Sequence, residues 1–319
     1  MSELISIVIP IYNEKDNIRE LYERLKRSLE GLNYEIILVD DGSKDGSTEI
    51  IREIALSDSS VKGVILRRNY GQTFALSAGF EVAEGDIIVT MDGDLQNDPE
   101  DIPKLLSKIE EGYDVVSGWR RERKDPFWKR KLPSMIANWI ISKITGVKLH
   151  DYGCTLKAYR REALEDLKLY GELHRFIPAL ASMNGAKVTE VEVRHHPRKR
   201  GKSKYGLERI PKVLLDLLLV KFLLRYRTRP LHLLGGLGLI SFLAGFAIAL
   251  YLSLLKIFEG IELSKRPMLL LAILLMIAGI QLISTGILGE MIMRTYYESQ
   301  GRRPYLIKEI VSCEERRYT

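Results

Sequence analysis

The stretch Asp86-Ile87-Ile88-Val89-Thr90-Met91-Asp92-Gly93-Asp94-Leu95-Gln96 decides the reading of this chain. A short unbroken apolar run reads as a buried strand, and this one ends on two carboxylates one residue apart. Two apolar runs before it also end on polar residues. Leu4–Ile11 leads into Tyr12-Asn13-Glu14, and Tyr34–Val39 leads into Asp40-Asp41-Gly42-Ser43. Between the strands lie segments with apolar residues at helical spacing. These are Lys15–Leu29, a segment from Asp45 or Ser47 (either able to cap it) to about Ala55, Gln72–Ala83 and Pro99–Glu111. Val61–Leu66 is a further strand, and Val115–Ser117 begins another. The alternation predicts an α/β fold, with a mostly parallel sheet and helices on both faces. Such sheets bind ligands at the carboxyl ends of their strands. This chain concentrates its polar residues there.

Beyond about residue 205 the composition changes. Leu231–Leu255 and Pro267–Gly289 contain no charged residue. Each exceeds the ~18–20 apolar residues that a bilayer-spanning helix needs. The sequence therefore predicts a globular domain over 1–205, an amphipathic segment over 206–230, two transmembrane helices within 231–293 and a tail over 294–319. Lys131–Thr145 and Leu207–Leu224 mix apolar and basic residues as interfacial helices do; a core helix remains the alternative for each. No leader segment is expected at Met1–Glu3. Lys221, Arg225, Arg227 and Arg229 precede the first span, and Arg294, Arg302, Arg303 and Lys308 follow the second. The positive-inside tendency then puts the globular domain and both chain ends in the cytosol. The net charge of +6 fits attraction to anionic headgroups. No nucleic-acid motif accompanies it, so no nucleic-acid partner is expected. Cys154 and Cys313, the only cysteines, lack zinc-site spacing and are expected to stay reduced.

Asp92 and Asp94 can approach a hard divalent cation, Mg2+ or Mn2+, and Gln96 adds a third oxygen. A cation there could bridge a diphosphate and neutralise charge as it leaves. Neither a Walker pattern nor G-x-G-x-x-G is present, which argues against a kinase or a dehydrogenase.

Val8-Ile9-Pro10-Ile11-Tyr12-Asn13-Glu14, Val39-Asp40-Asp41-Gly42-Ser43 and Asp92-Gly93-Asp94-Leu95-Gln96 together resemble family 2 inverting glycosyltransferases of the GT-A fold. Arg68-Asn69-Tyr70-Gly71-Gln72, Asp151-Tyr152-Gly153-Cys154 and Arg200-Gly201-Lys202-Ser203-Lys204-Tyr205 extend the resemblance to the polyprenyl-phosphate branch. That branch holds dolichyl-phosphate mannose and glucose synthases and undecaprenyl-phosphate formamido-arabinose transferases. The resemblance implies that Pro10, Tyr12, Glu14, Asp40, Asp41, Asn69, Gln72, Asp92, Gly93 and Arg200 bind the nucleotide-sugar. It implies that Asp92, Asp94 and Gln96 hold the metal, and that Arg120, Arg130 and Ser134 hold the acceptor phosphate. Asp94 and Asp151 would be catalytic, Asp151 as a base or as a group that orients the sugar.

The implied reaction moves a sugar, UDP-linked or from GDP-mannose, onto dolichyl or undecaprenyl phosphate at the cytosolic membrane face. A processive polysaccharide synthase is the alternative enzyme, although no Gln-x-x-Arg-Trp motif is present. A non-catalytic scaffold is the alternative class, against which Asp92, Asp94 and Gln96 argue. Tyr305, Ile307 and Glu309 alternate in a tail that reads as a strand. Relatives use this tail between subunits, which implies a homo-oligomer, with a tetramer among the candidates.

Overall fold

A computed structural model describes residues 3–121, 145–165, 173–197 and 304–313, with isolated positions between 138 and 295. The chain divides into two units, Met1–Val220 with Pro304–Thr319, and Lys221–Arg303. In chain order the first unit runs β1 (Ile5–Ile11), α1 (Lys15–Ser28), β2 (Tyr34–Asp40), α2 (Ser47–Ser57), β3 (Val61–Leu66), α3 (Gln72–Val82) and β4 (Ile87–Thr90). A single 3-10 turn (Pro99–Asp101) leads into α4 (Ile102–Glu110) and β5 (Val115–Trp119). Then come β6 (Lys157–Arg160), a 3-10 turn at Leu173–Phe176, a short helix at Ile177–Met183, β7 (Val188–Glu192) and, much later, β8 (Ile307–Val311).

The strands form one sheet in the order β7-β5-β6-β4-β1-β2-β3-β8. The expected parallel arrangement holds from β4 through β1 and β2 to β3. The sheet as a whole is mixed, because β6 runs antiparallel between β4 and β5, and β8 runs antiparallel on the edge of β3. β6 enters the sheet at the carboxyl end of β4, with Lys157 opposite Thr90, and so runs back against both of its neighbours.

Period-two alternation in β1 divides the two faces. Ile5, Ile7, Ile9 and Ile11 join one core with Ile18, Leu21 and Leu25 of α1, Ile51 and Ile54 of α2, and Leu105 and Ile109 of α4. The helical residues recur at three- and four-residue spacing, so each helix presents one apolar stripe. Helix α1 also carries Asp16 in its first turn and Lys26 and Arg27 in its last, in the sense the helix dipole favours. On the opposite face, α3 comes so close to Val8 that a Cβ on Gly79 would lie 2.3 Å from its Cγ1. That approach brings the first turn of α3 down onto the end of β4.

The tail reads as a strand in the structure as well, and it closes one edge of the sheet. β8 pairs with β3 of the same chain, placing Gly63 opposite Val311 and Ile65 opposite Glu309. Tyr305 packs near Phe74, its hydroxyl donates to Glu81 at 3.0 Å, and Arg52 pairs with Glu309 at 2.7 Å. The physical reason is the unpaired edge that β3 would otherwise present. Removing residues 304–319 should therefore lower the Tm of the purified chain by at least a few degrees and raise its tendency to aggregate. An unchanged Tm would show that the edge needs no cover.

Among the described residues, no helix is long and apolar enough to cross a membrane. The expected spans, the interfacial helices over 131–145 and 207–224, and Arg130, Ser134 and Arg200 lie outside the described residues, apart from isolated positions.

Candidate active site

Three βα turns meet at the carboxyl ends of β1, β2 and β4; hydrogen bonds lock the first two to each other, and the loop after β3 ties them to the third. The Asn13 N–H donates to Ser43 Oγ at 2.9 Å, and Lys44 N–H donates back to Asn13 Oδ1 at 2.8 Å. Glu14 N–H donates to Ser47 Oγ at 3.1 Å. The Glu14 carboxylate accepts from the Asn17 side chain at 2.7 Å, one turn into α1. Tyr12 and Pro10 are partly buried beside this turn.

Asp40 and Asp41 are adjacent but differently used. Asp40 is fully buried and accepts from Ser43 N–H at 3.0 Å and Thr48 Oγ1 at 2.5 Å, so its carboxylate shapes the turn. Asp41 reaches sideways and accepts from Tyr70 N–H at 2.7 Å and Gly71 N–H at 2.9 Å. It thereby fixes the loop that carries Asn69, whose side chain is exposed, and Gln72. Gly42 follows with φ +70°, and a Cβ there would lie 2.5 Å from the Arg68 backbone. Only glycine lets the two loops touch. Burial pushes the Asp41 carboxyl up to about 6, with the charge of Asp40 adding to it and the two N–H donors opposing.

Gln72 opens α3 and donates from Nε2 to Asp92 Oδ1 at 2.7 Å. Gly93 is buried behind, and Gln96 N–H donates to Asp94 Oδ1 at 3.1 Å. Leu95 between them takes φ +61°, which holds the aspartate turn tight. Burial pushes the Asp92 carboxyl upward; the Thr155 hydroxyl and the charges of Arg120, Lys157 and Arg175 pull it back.

A partly open cleft runs beneath Asp92, lined by Pro10, Gln72, Thr90, Thr155, Lys157 and His174 among others. The space within it, ≈ 10 Å³, is about enough for one water molecule, so a ligand would enter it only with a small part or lie across its mouth.

Arg120 and Asp151, 31 residues apart, form a fork-to-fork pair. Arg120 Nε donates to Asp151 Oδ2 at 2.7 Å, and an Nη donates to Oδ1 at 3.0 Å. Their side chains are only 13% and 4% exposed, so the pair is shielded from solvent.

The reading from sequence missed Lys157, Thr155 and His174. Lys157 is 3% exposed and donates to the main-chain carbonyls of Tyr152 and Cys154. Burial pulls its ammonium down to about 8. His174 Nδ1 lies 2.7 Å from Thr73 Oγ1 in the first turn of α3. One signal was available for Lys157: it is a basic residue inside a short strand otherwise built to be covered. Cys154 is buried and both cysteines are free.

Among the described residues, no group of three or more His, Cys, Asp or Glu is placed to hold a metal ion by itself. The chain offers a cation two carboxylates and an amide oxygen. That set fits Mg2+ or Mn2+, which complete their shells with substrate oxygens and water.

Comparisons with known proteins agree with this geometry. Residues 6–168 match the glycosyl transferase family 2 domain. The dodecaprenyl-phosphate galacturonate synthase of Rhizobium johnstonii is 45% identical over 96% of this chain and 92% of its own length. The undecaprenyl-phosphate 4-deoxy-4-formamido-L-arabinose transferase of Aeromonas hydrophila is 42% identical over 97% and 94%. A glucosyl-3-phosphoglycerate synthase from Mycobacterium tuberculosis, crystallised with Mn2+ and uridine diphosphate, superposes with a TM-score of 0.54. The match is 20% identical and covers 69% of this chain and 79% of that one, which speaks for the GT-A type fold alone. With a domain match through the three interlocked turns and relatives aligned over nearly their full length, the chain belongs to glycosyl transferase family 2.

Proposed function

We propose that this glycosyltransferase moves a sugar from a nucleotide-sugar onto the phosphate of a polyprenyl lipid at a membrane surface, with inversion at the anomeric carbon. The observation that carries the reading is the shielded Arg120–Asp151 fork, whose arginine charge reaches Asp92. On this reading Arg120 is the acceptor-phosphate ligand and Asp92 stands at the strand end that takes the donor diphosphate. Relatives named for dodecaprenyl and undecaprenyl phosphate support the acceptor class.

The acceptor's chemistry simplifies the step. A phosphate monoester has a second pKa near ~6 and is largely a dianion at neutral pH. Its oxygen attacks the anomeric carbon, the bond to the diphosphate breaks, and the nucleoside diphosphate leaves. No proton has to be removed. The protein's tasks are positioning and charge. Arg120 presents its guanidinium to the acceptor phosphate, held in orientation by Asp151. Asp41 holds the 68–72 loop against the donor, with Gln72 bracing Asp92. A bound Mg2+ or Mn2+ would be held by Asp92, Asp94 and Gln96, where it supplies positive charge to the leaving diphosphate. Tyr12, Glu14, Asn69 and Arg200 belong to the donor side, and Arg130 and Ser134 to the acceptor side. The two uncharged stretches anchor the chain with its catalytic domain in the cytosol, and subunits associate as a homo-oligomer.

The test is a transfer assay with purified full-length chain, undecaprenyl or dolichyl phosphate, and a panel of UDP- and GDP-sugars. Formation of one polyprenyl-phosphate sugar with inverted configuration is expected. Hydrolysis of every donor without lipid product, or a growing polysaccharide, would sink the proposal.

A pH prediction follows from Asp41. Its folded value, about 6, lies above the ordinary carboxylate value. Its contribution to stability is therefore full below about pH 4 and lost as pH rises through 6. Acidification through pH 6 protonates Asp41 and loosens its hold on Tyr70 and Gly71 without this group unfolding the chain. Donor affinity by calorimetry should fall severalfold between pH 7.5 and about 5.5. Asp41→Asn should bind donor weakly at both. A variant with the wild-type pH dependence would remove Asp41 as the cause.

A further inference from the structure

The connection from Asp151 to β6 is the part of the site with the least regular backbone, yet it carries half of the Arg120–Asp151 fork. Its hold on the fold is a set of inward bonds. Gly153 N–H donates to Asp151 Oδ1 at 3.1 Å. The Thr155 carbonyl accepts from Thr90 Oγ1 at 2.7 Å, and its hydroxyl accepts from Asn97 Nδ2 at 2.9 Å. The Leu156 carbonyl accepts from Gly118 N–H at 2.9 Å. The carbonyls of Tyr152 and Cys154 accept from the ammonium of Lys157.

Lys157 is placed for this by the sheet. It stands opposite Thr90 of β4 on one side and Ser117 of β5 on the other. Thr90 lies two residues before Asp92, and Ser117 three before Arg120. One side chain thus sits in the row between the aspartate strand end and the arginine strand end. It also lines the cleft with Asp92.

We propose that Lys157 is a positioning residue for the transfer reaction: its buried ammonium clamps the Tyr152 and Cys154 carbonyls, and so fixes the turn that aims Asp151 and Arg120. The inference rests on the function proposed above. Stability alone does not call for this residue. An ammonium taken out of water is costly to the fold, which is why its proton is held more weakly than usual. A methionine of similar length would fill the same space without that cost. The ammonium has three donors, and a turn with two inward carbonyls needs a donor that an apolar side chain cannot provide.

The experiment compares full-length wild type, Lys157→Met and Lys157→Arg. It measures kcat and KM for polyprenyl phosphate, donor affinity by calorimetry and Tm. Lys157→Met is expected to lose roughly a hundredfold in kcat/KM for the lipid, the scale of a misplaced reacting group. Its donor affinity is expected to stay near the wild-type value and its Tm to fall by no more than a few degrees, since two unpaired carbonyls are offset by no longer burying a charge. Lys157→Arg, which keeps charge and donors, should recover most of the loss. Wild-type turnover in Lys157→Met would overturn the inference. So would activity falling together with a Tm loss beyond those few degrees and no rescue by arginine, since the lysine would then be structural only. A wild-type chain that transfers no sugar to polyprenyl phosphate would instead overturn the proposed function, and the inference with it.

Discussion

Asp94→Asn is expected to lower sugar transfer on the order of 10²–10³-fold, because a metal held there is asked for several kcal/mol of charge stabilisation and each 1.4 kcal/mol is tenfold. The substitution is nearly isosteric. Asparagine Oδ1 can still accept the Gln96 N–H that closes the turn, so the fold should survive. What changes is charge, from a carboxylate to a neutral amide. Among the described residues, no third carboxylate is placed to take over. Added Mn2+ in large excess should recover part of the rate, because the defect is in affinity for the cation as well as in its electrostatics. EDTA should abolish wild-type transfer, and Mg2+ or Mn2+ should restore it. Full wild-type activity in chelator without added metal would remove the cation from the reaction.

How much of this was legible without coordinates follows from the kind of signal each part leaves. β1, β2, β3 and β4 are apolar runs buried on both faces, and such runs announce themselves. The helices between them carry stripes at 3.6-residue spacing and lie within a residue or two of their expected bounds. β6 and β7 left no comparable trace. β6 is four residues, Lys157 to Arg160, with a charge at each end, and β7 mixes Val188 and Val191 with Glu190 and Glu192 on a partly exposed edge. Their existence depends on partners far along the chain. For the same reason the sheet reads as mostly parallel from sequence, while β6 and β8 make it mixed.

The site divides in the same way. Asp40, Asp41, Asp92 and Asp94 stand at strand ends, and the topology of a parallel sheet brings strand ends together. That Asp41 would bind the 70–71 backbone, and that Gln72 would brace Asp92, depended on how α3 packs against Val8. Lys157 had only its own oddity to recommend it.

The second large effect concerns Arg120 and Asp151, which the sequence reading assigned to different tasks and the structure joins. A general base must be able to take a proton, and a carboxylate held by two guanidinium hydrogen bonds at 4% exposure is poorly placed to do so. The pair instead resembles a mounted phosphate ligand: Asp151 fixes the plane of the fork, and the remaining N–H groups of Arg120 are aimed by it. Arg120→Leu strands a buried carboxylate, so it should destabilise the chain by about 3–5 kcal/mol and abolish transfer at once, which makes it a poor probe of role. Arg120→Lys and Asp151→Asn are better ones. Lysine keeps the charge without the planar fork, and should lose roughly ten- to a hundredfold in kcat/KM for the polyprenyl phosphate, the cost of one or so charge-assisted hydrogen bonds. Asp151→Asn still accepts from Arg120 through one oxygen and should lose a comparable factor. Its pH–rate profile should keep the wild-type acid limb, because that limb belongs to Asp41 and to the acceptor phosphate. Donor affinity should stay near wild type in both variants. A base would behave otherwise. Asp151→Asn would then lose its rate almost entirely, its acid limb would vanish, and a small carboxylate such as formate would restore turnover. That pattern would return Asp151 to the role of proton acceptor and leave Arg120 as its counterion.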